Sequence, residues 1–464
     1  MSPAPRSDRG VATSLCLLVT CLTLLLSQAA ITDGSDGRSM YEVTRSVVER
    51  GRLDIPARYG FPGRDGNYYA SHGMGLPLAA IVPYVVAMPL QRTWLGERAA
   101  EVAVASLMPL VTGLLAAALY RLSRRLGADV SGAMTAALGA TLGTYVLAFS
   151  KEFFSEPLAA LCLVAAIERA VAGRAATAGI AAAAAALTRP QYFAVAPIVV
   201  WRLWRHGGWP AATRAAAAVG VALLLTVAYN VARFEDPMQF GYEGLGFSTP
   251  LLRGATGLLF HPDKSILLFA PIVALVPLAL RWLWAVNRSA CWLIGGNLLL
   301  TFVTLATWVD WYGGWVWGPR PLIPGVVPAV AAVAAWAGSR TYRRRVVAGL
   351  FLAGFVVSAP TLVVSQRAQL ISDAGPIGPH ILRQYRLVPE TVAFTSEHAG
   401  ESPPEARYER FVNAWQVSLI RREGRRGAWL AAAASLGLLL TAGASARRLR
   451  AALRRPLMSS PSRA

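Results

Sequence analysis

Residues 11–31, VATSLCLLVTCLTLLLSQAAI, carry no charge, and residues 32–75, TDGSDGRSMYEVTRSVVERGRLDIPARYGFPGRDGNYYASHGMG, carry six acids and six arginines. The first run is long enough to cross a hydrocarbon core about 30 Å thick. It also exceeds the apolar stretch of a signal peptide, roughly 7 to 15 residues, which favours a retained anchor over cleavage near Ser27-Gln28-Ala29. An anchor of this kind delivers the polar stretch after it to the opposite membrane face. Working outward, comparable runs recur near 99–120, 131–149, 157–173, 175–187, 191–204, 215–232, 265–285, 290–309, 321–338, 346–365 and 428–446. The expectation is an all-α polytopic membrane protein of about twelve transmembrane helices, with a large extracytoplasmic first loop. Composition agrees, with 55% apolar and 15% charged residues and a mean hydropathy of +0.44, against about 25% charge in soluble domains.

The net charge of +20 raises nucleic acid as a partner, and its distribution removes it. Twelve crossings put both termini on one side, where 22 Lys and Arg face 3 acids; the other side holds 23 and 22. Clusters such as Arg121/Arg124/Arg125, Arg340/Arg343/Arg344/Arg345 and Arg447/Arg448/Arg450 mark the first side as cytoplasmic. The expected location is therefore the inner (cytoplasmic) membrane, multi-pass, with cytoplasmic termini. Arg421, Arg422, Arg425 and Arg426 fall on the outer side against this trend. Cys16, Cys21, Cys162 and Cys291 lie inside apolar runs, where a thiol acts as a small packing residue.

Within the first loop, Met40, Val43, Val47 and Val48 share one helical face, so residues 38–50 read as an amphipathic helix on the membrane surface. Residues 76–91 are apolar but interrupted by Pro77, Pro83 and Pro89, which suits an interfacial or re-entrant stretch. Three further segments reach the same face: Lys151 to Pro157, Arg233 to Lys264, and Trp308 to Arg320. Residues 366–427 form a polar extracytoplasmic segment without clear period, and 428–464 supply the last crossing and a basic tail.

The chain has no phosphate loop of the GxxxxGK[ST] kind, no HExxH and no CxxC, so nothing points to nucleotide hydrolysis or zinc chemistry. What gathers outside the membrane is a set of carboxylates, Asp33, Asp36, Glu152 and Glu156, beside the cations Lys151, Lys264 and Arg320 and the imidazole of His72. A carboxylate can take the proton of an acceptor hydroxyl, and cations can neutralise a phosphate leaving group. Each residue also has a plainer role open to it. Asp36 could cap the helix that follows, Glu156-Pro157 could simply start one, and Arg189-Pro190 could be a turn with a snorkelling side chain.

In their order along the chain, Asp36-Gly37, Tyr41, Gly51-Arg-Leu-Asp54 and Tyr69-Ala-Ser-His-Gly-Met-Gly-Leu-Pro77 resemble the first outer loop of GT-C-type polyprenyl-phosphate-sugar-dependent glycosyltransferases. That class includes the protein O-mannosyltransferases and the aminoarabinose transferases. Leu187-Thr-Arg-Pro190, Gly241-Tyr242, Gly257-Leu-Leu-Phe-His-Pro-Asp-Lys-Ser265 and Trp315-Val-Trp-Gly-Pro-Arg-Pro321 are similar to later parts of it, and residues 1–365 would be the catalytic membrane domain. The resemblance implies a sugar carried on a polyprenyl phosphate and attacked with inversion by a hydroxyl of a glycan, lipid or protein acceptor. It puts Asp36 in the place of the catalytic acid and makes Glu156 resemble the second-loop acid that assists it or helps bind a divalent metal, Mg or Mn. Asp33 and Glu152 are the neighbouring acids, and Arg320, Lys264, Lys151 and His72 the candidates for holding the donor phosphate. The chain departs from the pattern at Gly37, where many relatives carry a second acid, and metal dependence stays open at this point. A lipid-linked glycan ligase or polymerase, and a secondary transporter or flippase, are the alternative readings.

Overall fold

The computed structural model describes residues 6–28, 31–93, 96, 98–242, 246–314, 316–365, 380–398, 410–412 and 414–454. The order is α1 (Arg6–Leu25), α2 (Asp36–Arg50), α3 (Gly75–Ala87), α4 (Arg98–Ala105), α5 (Leu107–Arg125) and α6 (Val130–Leu142). There follow α7 (Val146–Phe149), α8 (Ser155–Val171), α9 (Ala175–Thr188), α10 (Ala196–Phe234), α11 (Leu251–Phe260) and α12 (Ile266–Phe269). The last are α13 (Val276–Val286), α14 (Arg288–Thr307), α15 (Ile323–Ala337), α16 (Thr341–Ser358), α17 (His380–Glu397) and α18 (Trp415–Arg454). Among the described residues the sole sheet is a short hairpin pairing Phe61 with Tyr69 and Pro62 with Tyr68.

Among the described residues, seven helical runs are long and apolar enough to cross a membrane, and four more apolar helices are shorter. Every stretch expected to cross coincides with a helix, but not always with a separate long one. The expected pair 191–204 and 215–232 lies in one run, Pro190–Phe234, broken where Gly208 adopts φ 65 and ψ −167. Gly424, with φ 55, breaks α18 in the same way, and the part beyond it contains the expected last crossing.

At the centre lies α15, of which Trp336 is the one residue not buried. Its Ala, Val and Gly side chains let neighbouring helices approach closely, as small residues do inside membrane bundles; a Cβ on Gly325 would meet Thr301 at 2.9 Å. Asp8, Asp129 and Glu168, the three acids expected on the cytoplasmic side, cluster with its arginines. Asp8 pairs with Arg124 at 3.2 Å, Glu168 with Arg125 and with Arg169 at 3.1 Å, and Asp129 with Arg344.

The opposite end carries the loops that build the site. There α2 begins at Asp36, and its apolar face is covered by protein: Met40 clusters with Leu76, Ala80 and Tyr84 of α3, and the Thr44 hydroxyl donates to the Pro77 carbonyl at 3.1 Å. The amphipathic pattern was legible, but its partner is α3, whose own apolar surface needs covering, rather than lipid. Residues 76–91 become α3 and a 3-10 turn, Met88–Arg92.

Candidate active site

Ser35 is the N-cap of α2, its hydroxyl accepting from the Arg38 amide at 3.2 Å. Asp36, next along, is therefore not needed as a cap, and its carboxylate turns to Arg320. Arg320 Nη2 donates to Asp36 Oδ2 at 2.6 Å, while its Nε lies 2.8 Å from Glu156 Oε1. Glu156, in the first turn of α8, also accepts from Arg189 Nη2, and Arg189 Nε donates to the Ser155 hydroxyl at 2.9 Å. Two carboxylates and two guanidiniums thus alternate across the mouth of the bundle. Arg320 and Glu156 are deeply buried, whereas Asp36 keeps 39% of its side chain exposed. The Phe154 ring backs the Arg320 guanidinium, 4.4 Å from its centroid.

Close backbone approach holds this arrangement together. A Cβ on Gly37 would sit 2.1 Å from the Phe153 carbonyl oxygen, so this position admits only hydrogen. Gly73 and Gly75 likewise press on the backbone of Leu187 and Thr188, which sets His72 beside Arg189. Behind them the buried Arg233 donates to the carbonyl of Ala70 and to Asn230 Oδ1 at 2.8 Å, anchoring the strand end that leads to His72. His72 Nε2 stands 3.9 Å from Asp36 Oδ1, and its Nδ1 is 3.3 Å from the Tyr242 hydroxyl.

Burial works to raise the Asp36 carboxyl, but the charges of Arg320, His72 and Arg189 outweigh it and hold it well below the usual carboxylate range. Burial lowers the His72 ring below its ordinary value, opposed by Asp36 and reinforced by Arg189 and Arg320. Arg320 Nη1 and Nε and Glu156 Oε2 are buried without a hydrogen-bond partner among the described residues, Nε making only its ion pair with Glu156, unmet capacity of the kind found at functional sites.

The remaining candidates lie around this centre. Asp33 is apart from it, accepting from the Tyr59 hydroxyl at 2.5 Å. Lys264 donates to the carbonyls of Gly314 and Val316 at 2.9 and 2.6 Å, and burial with Arg320 nearby pushes it down to about 7. Lys151 donates to the Thr361 carbonyl, and Glu152 lines a recess with Trp317 and Gln384. Burial lowers Lys151 and raises Glu152. Arg189 and Tyr242 were not singled out as site residues from the sequence; a guanidinium in the short polar break between two apolar runs was the available signal. Trp315 lies outside the described residues.

No group of three or more His, Cys, Asp or Glu is gathered to hold a divalent cation among the described residues, and Asp36 and Glu156 each already carry a guanidinium. Mg or Mn would need several free oxygen ligands there.

The helical bundle, with its charged cleft at one end walled by the loop after α1, shares the fold of the polytopic GT-C glycosyltransferases. Among solved structures, that of ArnT from Cupriavidus metallidurans bound to undecaprenyl phosphate matches with a TM-score of 0.50 and 14% identity, over 95% of this chain and 77% of that one. ArnT in the apo state gives 0.48 and 13%, over 95% and 76%. The oligosaccharyltransferase of Archaeoglobus fulgidus gives 0.48 and 11%, with this chain's match covering 56% of that one. At these identities the likeness is one of fold. No protein-family model and no curated protein sequence matches the chain.

Proposed function

We propose that this protein is an inverting glycosyltransferase that moves a sugar from a polyprenyl-phosphate carrier to an acceptor hydroxyl on the extracytoplasmic face of the cytoplasmic membrane. The observation that carries the reading is Arg320. It is buried at the bundle mouth, hydrogen-bonded to Asp36 and ion-paired with Glu156, and its Nη1 has no hydrogen-bond partner among the described residues. A guanidinium in such a position can take a phosphate oxygen. The fold shared with an enzyme bound to undecaprenyl phosphate supports a lipid carrier of the same class.

In this mechanism the carrier phosphate lies against Arg320, and the acceptor hydroxyl sits between Asp36 Oδ1 and His72 Nε2. Their 3.9 Å separation is too wide for a direct hydrogen bond and leaves room for one oxygen in reach of both. As the acceptor oxygen bonds to the anomeric carbon, the carbon–oxygen bond to phosphate breaks and its electron pair leaves on the phosphate. Asp36 receives the hydroxyl proton, Arg320 neutralises the leaving phosphate, and Glu156 with Arg189 fixes Arg320. Lys264, tied to two carbonyls, shapes the Gly314–Arg320 loop. In this reading the polar segment 366–427, of which 366–379, 399–409 and 413 lie outside the described residues, belongs on the same side of the membrane, with the helix ends at Arg6 and Arg454 on the cytoplasmic side.

The test is release of polyprenyl phosphate from a radiolabelled undecaprenyl-phosphate sugar by purified protein in lipid. Release that needs an added acceptor is the expected result. Carrier moved between leaflets with its sugar intact would instead mark a flippase.

A further inference from the structure

Three polar atoms outside the Asp36 cluster are buried without hydrogen-bond partners among the described residues: Glu152 Oε2, Trp317 Nε1 and Gln384 Oε1. Their residues are 6%, 3% and 2% exposed and line one recess, closed by Phe149 and Val364. The space open there to the centre of a water molecule is about 10 Å³. One bound water needs roughly 10–15 Å³ and two to four polar partners, so the recess is sized for a single water and for nothing larger. Its polarity fits as well. Two acceptors and one donor face it, and a water donates twice and accepts.

The three side chains come from three separate parts of the chain. Trp317 lies three residues before Arg320, on a loop that Lys264 holds by donating to the carbonyls of Gly314 and Val316; its indole meets the Phe269 ring edge-on at 5.2 Å. Glu152 stands in the loop whose next two residues supply the Phe153 carbonyl against Gly37 and the Phe154 ring behind the Arg320 guanidinium. Gln384 belongs to α17, which is tied to α16 by the Tyr385 hydroxyl donating to the Val356 carbonyl.

We propose that the recess is the site of one bound water, which donates to Glu152 Oε2 and Gln384 Oε1 and accepts from Trp317 Nε1, and that Gln384 is through it a positioning residue for Arg320. The positioning role rests on the proposed glycosyl transfer, in which Arg320 takes the carrier phosphate. A bridging water serves nearly as well as a direct hydrogen bond. It fixes the Trp317 loop from the side of α17, as Lys264 does from within the bundle, and it joins that loop to the one that backs Arg320. With α17 where it stands, no element has to move.

Ordered-water density in high-resolution structures of wild type and Gln384→Leu in lipid tests the site. One water at about 2.7–3.2 Å from the three atoms is expected in wild type, and none in Gln384→Leu. A wild-type recess without water, or a water unmoved by Gln384→Leu, would overturn the bridge. Donor kinetics test the positioning. Gln384→Leu and Trp317→Phe should each raise the donor KM roughly fivefold, the scale of one hydrogen bond, with kcat within about twofold of wild type, and Gln384→Asn, which keeps an acceptor, should restore most of the loss. Because both side chains bind the same water, the double variant should be within about twofold of either single one. Losses that multiply in the double variant, or a lower melting temperature with donor KM unchanged, would overturn the positioning role. Absence of any transfer by wild type would remove the proposed function and the positioning role with it, and the density would still decide the water site.

Discussion

Asp36 and Arg320 stand 284 positions apart in sequence and meet at 2.6 Å, joining the loop after α1 to the entrance of the central helix. The pair ties the acid nearest the proposed acceptor to the cation nearest the proposed phosphate. Its pH behaviour follows from the direction of the Asp36 shift. A carboxyl depressed on folding contributes stability that is fully present above its unfolded value, about 3.9, and is lost as pH falls through the folded value. Across pH 5–8 the pair is intact, so a loss of activity on acidification within that window comes from another group, and Lys264, pushed down by burial to about 7, and Glu152, raised by burial, take up protons there.

Replacing the guanidinium tests its share. Arg320→Ala leaves the buried Glu156 carboxylate short of one partner and should raise the apparent donor KM by tenfold or more, an effect on the scale of about 1.5–3 kcal/mol for a charged hydrogen bond. Arg320→Lys should restore little, because an ammonium cannot span Asp36, Glu156 and a phosphate together. Since Arg320 supplies the charge, chelator should leave turnover unchanged. Donor KM within twofold of wild type in Arg320→Ala would exclude it from the donor site.

Sidedness is checked by labelling. In a background lacking the four native cysteines, Arg58→Cys on the first loop and Thr341→Cys at the start of α16 are both exposed positions. An impermeant thiol reagent should modify the first in intact cells and the second only after permeabilisation. Equal labelling of the two would end the assigned orientation.

The helices were legible from the sequence because hydropathy is a local property; each of the twelve expected crossings overlaps a helix. Whether a stretch forms its own long helix was not, since Gly208 and Gly424 turn the backbone within continuous apolar or basic runs. Asp36, Glu156, His72 and Arg320 were read as candidates from their sidedness, and they do converge. What local sequence could not supply was the pairing. Lys264 reads as a spare cation until Gly314 and Val316, fifty positions away, turn their carbonyls to it. Arg189 reads as a turn residue until Glu156 is folded against it. The Gly37 departure, opaque in sequence, follows from the carbonyl of Phe153 on the next loop.

That contact makes its own prediction. Gly37→Ala introduces a methyl where 2.1 Å separates it from Phe153 oxygen, and overpacking of this kind costs about 1–3 kcal/mol. The melting temperature should fall, and turnover should fall further than stability does, because the displaced backbone also carries Asp36. Unchanged melting and turnover would mean that α2 is not held against the 151–154 loop.

The sharpest test is Asp36→Asn, which keeps the side chain's size and removes its charge. Capping is excluded as an explanation of any loss, because Ser35 performs it, and Asn caps about as well as Asp in any case. If Asp36 takes the acceptor's proton, turnover should fall by about 10²- to 10⁴-fold while expression and carrier binding persist. Asp33→Asn, which alters a carboxylate bonded to Tyr59 and apart from Arg320, should cost less than tenfold and controls for loop charge. The measurement is single-turnover release of polyprenyl phosphate, which separates chemistry from product departure. Turnover within twofold of wild type in Asp36→Asn would pass the proton to Glu156 or Glu152, and only a matching collapse in Glu156→Gln would then preserve a carboxylate base at this end of the bundle.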